Sequence, residues 1–173
     1  MAIYYGDSSN SATGRTVQTA QFEYLYTYSA SSNSGWRAIL TGANLTVKNA
    51  DSKILVQVQV GRLSGPSNSV AARMVRDRGG TDLTAIGVHA SSPSGSWQNY
   101  GQGPVNNDHA DNCFWQWLDT HGKAAGGAVY YQLQLWGQNN GTVWINRAQN
   151  TNDTNEPYAV RTGSSIILTE ITV

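Results

Sequence analysis

The sequence is poor in charged residues. Of its 173 residues, 13% are Asp, Glu, Lys or Arg, compared with about 25% in an average protein. The 11 basic and 11 acidic side chains cancel, so the formal net charge is zero. This neutrality argues against nucleic acid as a partner, because non-specific binding requires a basic surface that displaces counterions. It also leaves little repulsion between copies of the chain, which favours self-association.

Cysteine is nearly absent as well. The single residue, Cys113, excludes an intrachain disulfide and is typical of a chain that folds in a reducing cytosol. Residues 1–7 lack the basic start and the apolar centre of a signal peptide. No apolar run approaches the roughly 18 residues that a membrane span needs. We therefore expect no membrane span and assembly in the cytoplasm.

Helical periodicity is missing, whereas alternating strands recur along the chain. Residues 53–62 place Ile54, Val56, Val58 and Val60 on one side. In residues 128–136, Val129, Tyr131, Leu133 and Leu135 alternate with Tyr130, Gln132, Gln134 and Trp136. Because successive side chains of a strand point to opposite faces, each stretch predicts a strand with one apolar face.

The stretch 128–146 is the expected organising element. Its second part, 142–145, is β-branched and aromatic, and the Gly-Gln-Asn-Asn-Gly segment 137–141 supplies turn residues. We therefore predict a β-hairpin with a five-residue loop. A lone hairpin is not stable in water, so other strands must cover its apolar face.

About ten short strands are predicted in all. The remaining ones cover 21–28, 36–40, 43–47, 70–76, 83–89, 113–118 and 164–173. Their spacing predicts an all-β, antiparallel two-sheet sandwich or jelly roll. Residues 1–20, polar apart from Ile3, Tyr4 and Tyr5, are expected to form an extended arm ahead of a single domain, 21–173.

Four aromatic residues exceed what the core of a single sandwich requires, because they lie on the second face of their strands. They are Trp115, Trp117, Tyr130 and Trp136. We expect them to contact sister subunits that pack sheet against sheet, most simply as a homotrimer.

The irregular segment 90–112 is longer than a simple connection requires, so it is either functional or packed against a neighbour. Within it, Trp97 and Tyr100 lie among Ser, Asn and Gln. They form a candidate platform for a glycan. The alternative is that Trp97 only packs the loop onto the sandwich or onto the next subunit.

Patterns for catalysis are weak. Cys113, with His109 or His121 as a base, could act as a nucleophile, but a free Cys at the head of an apolar strand usually packs as a small hydrophobe. No G-x-S-x-G elbow is present. The acidic residues lie mostly in or beside turns, where Asp bonds the local backbone: Asp51, Asp77, Asp82, Asp108, Asp111, Asp119, Asp153 and Glu156. We expect no enzyme.

Signals for metals and phosphates are equally weak. The loops 106–112 and 150–156 offer Asn and Asp oxygens but not the spacing of a calcium loop. No phosphate-binding Gly-rich loop occurs, and Asp77 cancels charge in the Arg-Gly segment 76–80. We expect no metal and no cofactor.

Several segments occur in a recognisable order from about residue 21 to the end. They are 36–37, 52–56, 73–76 with 85–87 after a Gly turn, 131–135, 141–147 and 165–171. The most specific is Gly-Thr-Val-x-Ile-Asn-Arg at 141–147. Together they resemble a domain of tailed-phage virion proteins that is common in marine and cyanobacterial phages, at fibre tips and in head-associated proteins.

The resemblance implies a trimeric β-sandwich in the virion, without catalytic residues. The roughly 20 residues before the domain could stretch to about 65 Å, too short for a fibre shaft. We therefore expect a bacteriophage capsid decoration protein or short tail fibre that docks on other capsid or tail proteins through Ile3, Tyr4 and Tyr5. The alternative is a fibre-tip module that binds a host surface glycan through Trp97 and Tyr100.

Overall fold

The computed structural model describes residues 14–31, 35–64, 70–77, 83–86, 98–100, 111–137, 142–147 and 162–172. These residues form eleven β-strands. The strands are β1 (Thr16–Tyr24), β2 (Tyr28–Ser31), β3 (Arg37–Thr46), β4 (Lys53–Ser64), β5 (Val70–Asp77), β6 (Leu83–Ala85), β7 (Gln98–Tyr100), β8 (Asp111–Asp119), β9 (Ala128–Gly137), β10 (Thr142–Ile145) and β11 (Ser164–Ile171).

The strands pair into two antiparallel sheets. Sheet A has six strands in the order β1-β11-β4-β10-β2, with β8 also paired to β4. Because β8 and β11 pair with the same residues of β4, they lie on opposite sides of it. Sheet B has five strands in the order β3-β9-β5-β6, with β7 also paired to β5. The predicted all-β, two-sheet sandwich is confirmed.

The core lies between the two sheets and is filled by alternate residues of the strands. On β4, Ile54, Val56, Val58 and Val60 are fully buried. On β9, Val129, Tyr131, Leu133 and Leu135 are at most 1% exposed and belong to the same cluster. The inward faces predicted for these two strands are therefore correct.

Residues 128–146 do not form the predicted hairpin. β9 pairs with β3 and β5 in sheet B, whereas β10 pairs with β2 and β4 in sheet A. The chain thus crosses from one sheet to the other between Gly137 and Thr142. This crossover lets Val143 and Ile145 of β10 enter the same interior as the apolar side of β9. The turn-forming residues predict a reversal of the chain, but they do not specify which strands pair.

Several element boundaries also differ from prediction, and the segment 90–112, expected to be irregular, contains β7 and the start of β8. β1 begins at Thr16 and pairs with β11 up to Tyr24, so residues 16–20 belong to sheet A and not to an arm. The strand predicted over 21–28 is interrupted after Tyr24, before β2 begins. Residues 36–47, predicted as two strands, contain the single strand β3, in which register shifts and Gly42, at a φ of 88°, accommodate the irregularity.

Asn146 fixes the junction after β10. Its φ of 61° lies in the left-handed region, which Asn tolerates better than most residues. The buried side chain donates from Nδ2 to the carbonyls of Tyr24 (2.8 Å) and Tyr26 (2.9 Å), and Oδ1 accepts from the Ser164 hydroxyl (2.6 Å). Asn146 therefore ties the β1–β2 connection to the start of β11.

Candidate functional site

A buried ion pair connects β5 to the end of β8. Arg76 donates from Nη1 to Asp119 and to the carbonyl of Thr120 (2.8 Å). Asp119 also accepts a 2.7 Å hydrogen bond from the Tyr131 hydroxyl. Burial, then the charge of Asp119 and this hydrogen bond, raise the pKa of Tyr131. The prediction that Asp119 serves as a local turn residue is wrong, since it is 5% exposed and neutralises Arg76 inside the protein.

A second polar cluster lies at the ends of β4, β8 and β11. Ser52, His121 and Glu170 are all at most 2% exposed. The Ser52 hydroxyl is 2.6 Å from Oε1 of Glu170 and 3.3 Å from Nε2 of His121. The backbone N–H of Lys123 donates to Nδ1 of His121 (3.0 Å), so the ring proton is on Nε2 and faces Ser52.

This order of groups does not activate the serine. In a hydrolase triad the imidazole lies between serine and acid and accepts the hydroxyl proton. Here Ser52 lies between His121 and Glu170, and the imidazole donates to it. None of the three side chains is accessible to a substrate. The cluster is therefore a structural one.

Glu170 is kept ionised by its surroundings. The backbone N–H groups of Lys48 and Asn49 donate to its carboxylate at 2.9 to 3.1 Å. The side chains of Ser52 and Gln18 also donate to it. Burial raises the pKa of Glu170, but the hydrogen bonds, that from Ser52 foremost, outweigh burial and hold the pKa below its usual range.

Cys113, the predicted nucleophile, does not meet His121, one of the two bases predicted for it. Cys113 is 6% exposed in the core, near the start of β8, whereas His121 follows the end of that strand. The extended chain from Cys113 to Asp119 alone spans about 20 Å, far beyond the reach of proton transfer. His109 lies outside the described residues. Cys113 is thus a packing residue.

Metal and membrane features are not found in the described part of the chain. No group of three or more His, Cys, Asp or Glu side chains there could hold a metal ion. Residues 106–110 and 150–156, which supply most of the candidate oxygen ligands, lie outside it. Nor do the described residues include a helix with the length and hydrophobicity required to cross a bilayer.

The outward side of sheet B, called the outer B face, carries an aromatic cluster. The ring centroids of Trp36 and Trp136 are 6.5 Å apart. Arg73 lies over the Trp36 ring, 4.5 Å from its centroid, and donates from Nε to Gln134 (2.7 Å). Burial lowers the pKa of Arg73. Tyr130, further along β9, is 43% exposed. Subunit contacts through Tyr130 and Trp136 stay a prediction for this face.

The two tryptophans of β8 point inward, contrary to prediction. Trp115 and Trp117 are 7% and 6% exposed and belong to the core between the sheets. Their assignment to a subunit interface is therefore wrong. The outward residues of β8 are Phe114 and Leu118, which are 59% and 52% exposed. Both sides of this strand are apolar, so alternation alone could not tell which side faces the core.

Phe114 and Leu118 belong to a continuous surface, called the outer A face. It consists of the outward residues of β1, β11, β8 and the part of β4 up to Gln59, which precedes the register shift that brings Arg62 to the outward side; across sheet A the order is β1, β11, β4 and β8. These are Val17, Thr19, Gln21 and Glu23; Ser165, Ile167, Thr169 and Ile171; Lys53, Leu55, Gln57 and Gln59; and Phe114, Gln116 and Leu118. Apart from Glu23 and Lys53 they are uncharged. Sequence reasoning missed this face, although the absence of charge from alternate strand positions was visible.

A shallow pocket of about 210 Å³ opens at one end of the outer A face. Its lining comes from β1, β4 and the start of β11: Gln21, Glu23, Leu25, Gln59, Gly163, Ser164 and Ser165. Glu23 is the charged side chain among them, and Gln21 donates to its Oε1 at 3.1 Å. The pocket therefore combines a carboxylate with neutral hydrogen-bonding groups.

The remaining predicted site residues cannot be placed. Ile3, Tyr4, Tyr5 and Trp97 lie outside the described residues. Tyr100 lies in β7, whose backbone pairs with β5, and nothing is described of its side chain. The docking arm and the glycan platform thus stay predictions.

No protein-family model and no curated protein matches this chain. Among solved structures, it is similar to chains of infectious bursal disease virus. One, from the Gx strain, has a TM-score of 0.37 and 11% identity and aligns with 99% of this chain and 44% of its own length. A mutant VP2 protein of that virus has a TM-score of 0.38 and 10% identity, over 98% of this chain and 40% of its own length.

The chain thus spans less than half the length of these viral proteins.

Proposed function

We propose that this chain is a non-enzymatic structural protein of a tailed-phage particle, acting as a capsid decoration protein or as a short fibre. The observation that carries the proposal is the outer A face. Exposed apolar patches of this kind mark sites of protein contact, and Phe114 and Leu118 are both more than half exposed on it. The segments whose sequence and order along the chain resemble phage virion domains support the placement in a virion.

The buried polar groups also favour a structural role. Arg76 and Asp119 neutralise each other, and Ser52, His121 and Glu170 are bonded to one another or to the backbone. Each of these groups is at most 5% exposed. General acid–base catalysis needs a group within hydrogen-bond reach of a substrate. These groups stabilise the sandwich instead.

Attachment to the particle is assigned to the residues before β1. Ile3, Tyr4 and Tyr5 are apolar anchors in an otherwise polar stretch. A deletion that ends before Gly14 keeps all of β1 and the backbone hydrogen bond that Gly14 donates to Thr172 (2.6 Å). Trimer formation, with Tyr130 and Trp136 on the outer B face as contacts, is a further part of the proposal.

Deletion of residues 1–13 tests the attachment. We expect the shortened chain to keep its fold and its oligomeric state but to be retained on gradient-purified particles at least tenfold less than the full chain. A second variant keeps the arm at full length but replaces Ile3, Tyr4 and Tyr5 by Ser, and it should lose retention equally. Undiminished retention of both variants would show that the arm does not attach the protein.

A further inference from the structure

The two charges of the outer A face lie at its opposite ends. Lys53 begins β4, beside Ile171 of β11. Glu23, near the end of β1, is level with Ser165 and Gln59 through the strand register. The extended chain from Lys53 to Gln59 spans about 20 Å. Between these ends the face presents only uncharged side chains.

A surface with this pattern is complementary to itself. A two-fold axis that lies in the contact plane, midway between Lys53 and Glu23 and perpendicular to the line joining them, exchanges their positions. Lys53 of one copy then faces Glu23 of the other, and the same contact is made twice. Such isologous pairing is the usual geometry of protein dimers.

The pocket at Glu23 suits a lysine side chain. Its volume of about 210 Å³ is several times the roughly 30 Å³ that one water molecule occupies. The Glu23 carboxylate and the amide oxygens of Gln21 and Gln59 are acceptors for an ammonium group. Leu25 offers an apolar wall for the methylene stem of lysine. Within the set of residues that defines the outer A face, the cation is Lys53, and the pocket at Glu23 has the acceptors to receive it.

We propose that two copies of the chain pair through their outer A faces, with Lys53 of each inserted beside Glu23 of the other. The inference rests on the proposed assembly role and identifies the partner of the outer A face as a second copy. The pairing covers Phe114 and Leu118, which are exposed in the single chain. It is separate from trimer contacts on the outer B face and can join one trimer to another.

Charge reversal tests the pairing on the full-length chain. Sedimentation equilibrium is measured for the natural sequence, for Lys53→Glu, for Glu23→Lys and for the double variant. Each single reversal sets like charges against each other twice, so we expect the weight-average mass to fall by about twofold. The double variant restores opposite charges and should regain the natural mass.

Lys48→Glu is the matched control. Lys48 is exposed, lies in the turn between β3 and β4 and is not one of the outward strand residues of the outer A face, so the same charge change there should leave the mass unaltered. Circular dichroism checks that every variant is folded. A natural chain that sediments no heavier than the single variants, or a double variant that stays as light as they are, would overturn the pairing.

The sedimentation experiment on the pairing and the retention experiment on the proposed function can fail independently. Retention on particles is measured in the arm-deletion experiment and does not require paired outer A faces. Loss of pairing with full retention removes only this inference. Loss of retention on altering the arm, with sedimentation unchanged, supports the arm and leaves the pairing standing.

Discussion

Glu170 makes the stability of the sandwich depend on pH. Its folded-state pKa is held below its usual value, by hydrogen bonds that outweigh burial, whereas the unfolded chain has the ordinary value of about 4.3. The unfolded state therefore binds the proton first as the solution is acidified. The stabilisation is present above about pH 4.3 and is lost as pH falls through the lower folded-state pKa.

Replacing Glu170 by Gln should flatten this dependence. We expect Glu170→Gln to lower the free energy of unfolding at pH 7 by about 1.5–3 kcal/mol, the usual contribution of hydrogen bonds to a charged group. Below about pH 4 the difference from the natural chain should shrink. Urea unfolding at several pH values measures both effects. Thr169→Val, next in sequence but on the outer A face, should keep the natural pH slope; an unchanged slope in Glu170→Gln would contradict the assignment.

Because Arg76 and Asp119 form a buried ion pair, we expect two substitutions around Asp119 to lower the free energy of unfolding by different amounts. Asp119→Ala leaves Arg76 charged and buried without its carboxylate, which typically costs about 3–5 kcal/mol. Tyr131→Phe removes only the hydroxyl that donates to Asp119 and should cost about 1 kcal/mol. Denaturant unfolding at low protein concentration measures the loss of unfolding free energy in each variant. A smaller loss for Asp119→Ala than for Tyr131→Phe would contradict the role of the ion pair.

Strand alternation indicates which polar residues are buried but not what they bond. Glu170 shares a side with Ile166 and Leu168, and Arg76 shares one with Met74, so both inward positions can be read from sequence. The partners come from distant segments: Ser52 precedes Glu170 by 118 residues. Only the tertiary fold brings such residues together, and Asp119 therefore looked like an ordinary turn residue.

Strand β8 has two apolar sides with different roles. We expect Phe114→Ser combined with Leu118→Ser to weaken self-association at least tenfold, while changing the unfolding free energy by less than about 1 kcal/mol, because both side chains are more than half exposed. Trp115→Ala should instead destabilise the fold by about 3–5 kcal/mol. Sedimentation and urea unfolding measure the two effects.

Gln116→Ser is the control for β8, since Gln116 lies between Phe114 and Leu118 on the same side and is already polar. It should leave both self-association and stability close to natural. Severe unfolding of the Phe114 and Leu118 double variant, or natural self-association in it, would show that these residues do not form an exposed contact face.

Strand positions were more predictable than strand partners. The inward sides of β4 and β9 follow from alternation, because burial on one side of a strand imposes a period of two. The pairing of β9 and β10 with different sheets does not follow, because the turn between them specifies only a reversal. The outer A face could not be predicted for the same reason. Its residues come from four strands, and only the pairing of those strands brings them side by side.

At the scale of the whole molecule, the proposed contacts fall on separate surfaces. The outer A and outer B faces lie on opposite sides of the sandwich, as the two outward sides of its sheets. β1 and β11 are adjacent in sheet A, and the backbone N–H of Gly14 donates a hydrogen bond to the carbonyl of Thr172. The proposed arm therefore departs beside the outer A face. A copy held to a particle by its arm would keep the outer B face available for sister copies.

Electron cryomicroscopy of phage particles purified from cells that produce this chain tests its proposed structural role most directly. We predict density for the two-sheet sandwich at regularly repeated positions on the capsid or tail, joined to the particle by the residues before β1. Particles that are complete and infectious but carry no copy of the chain, in the images and by mass spectrometry, would contradict that role.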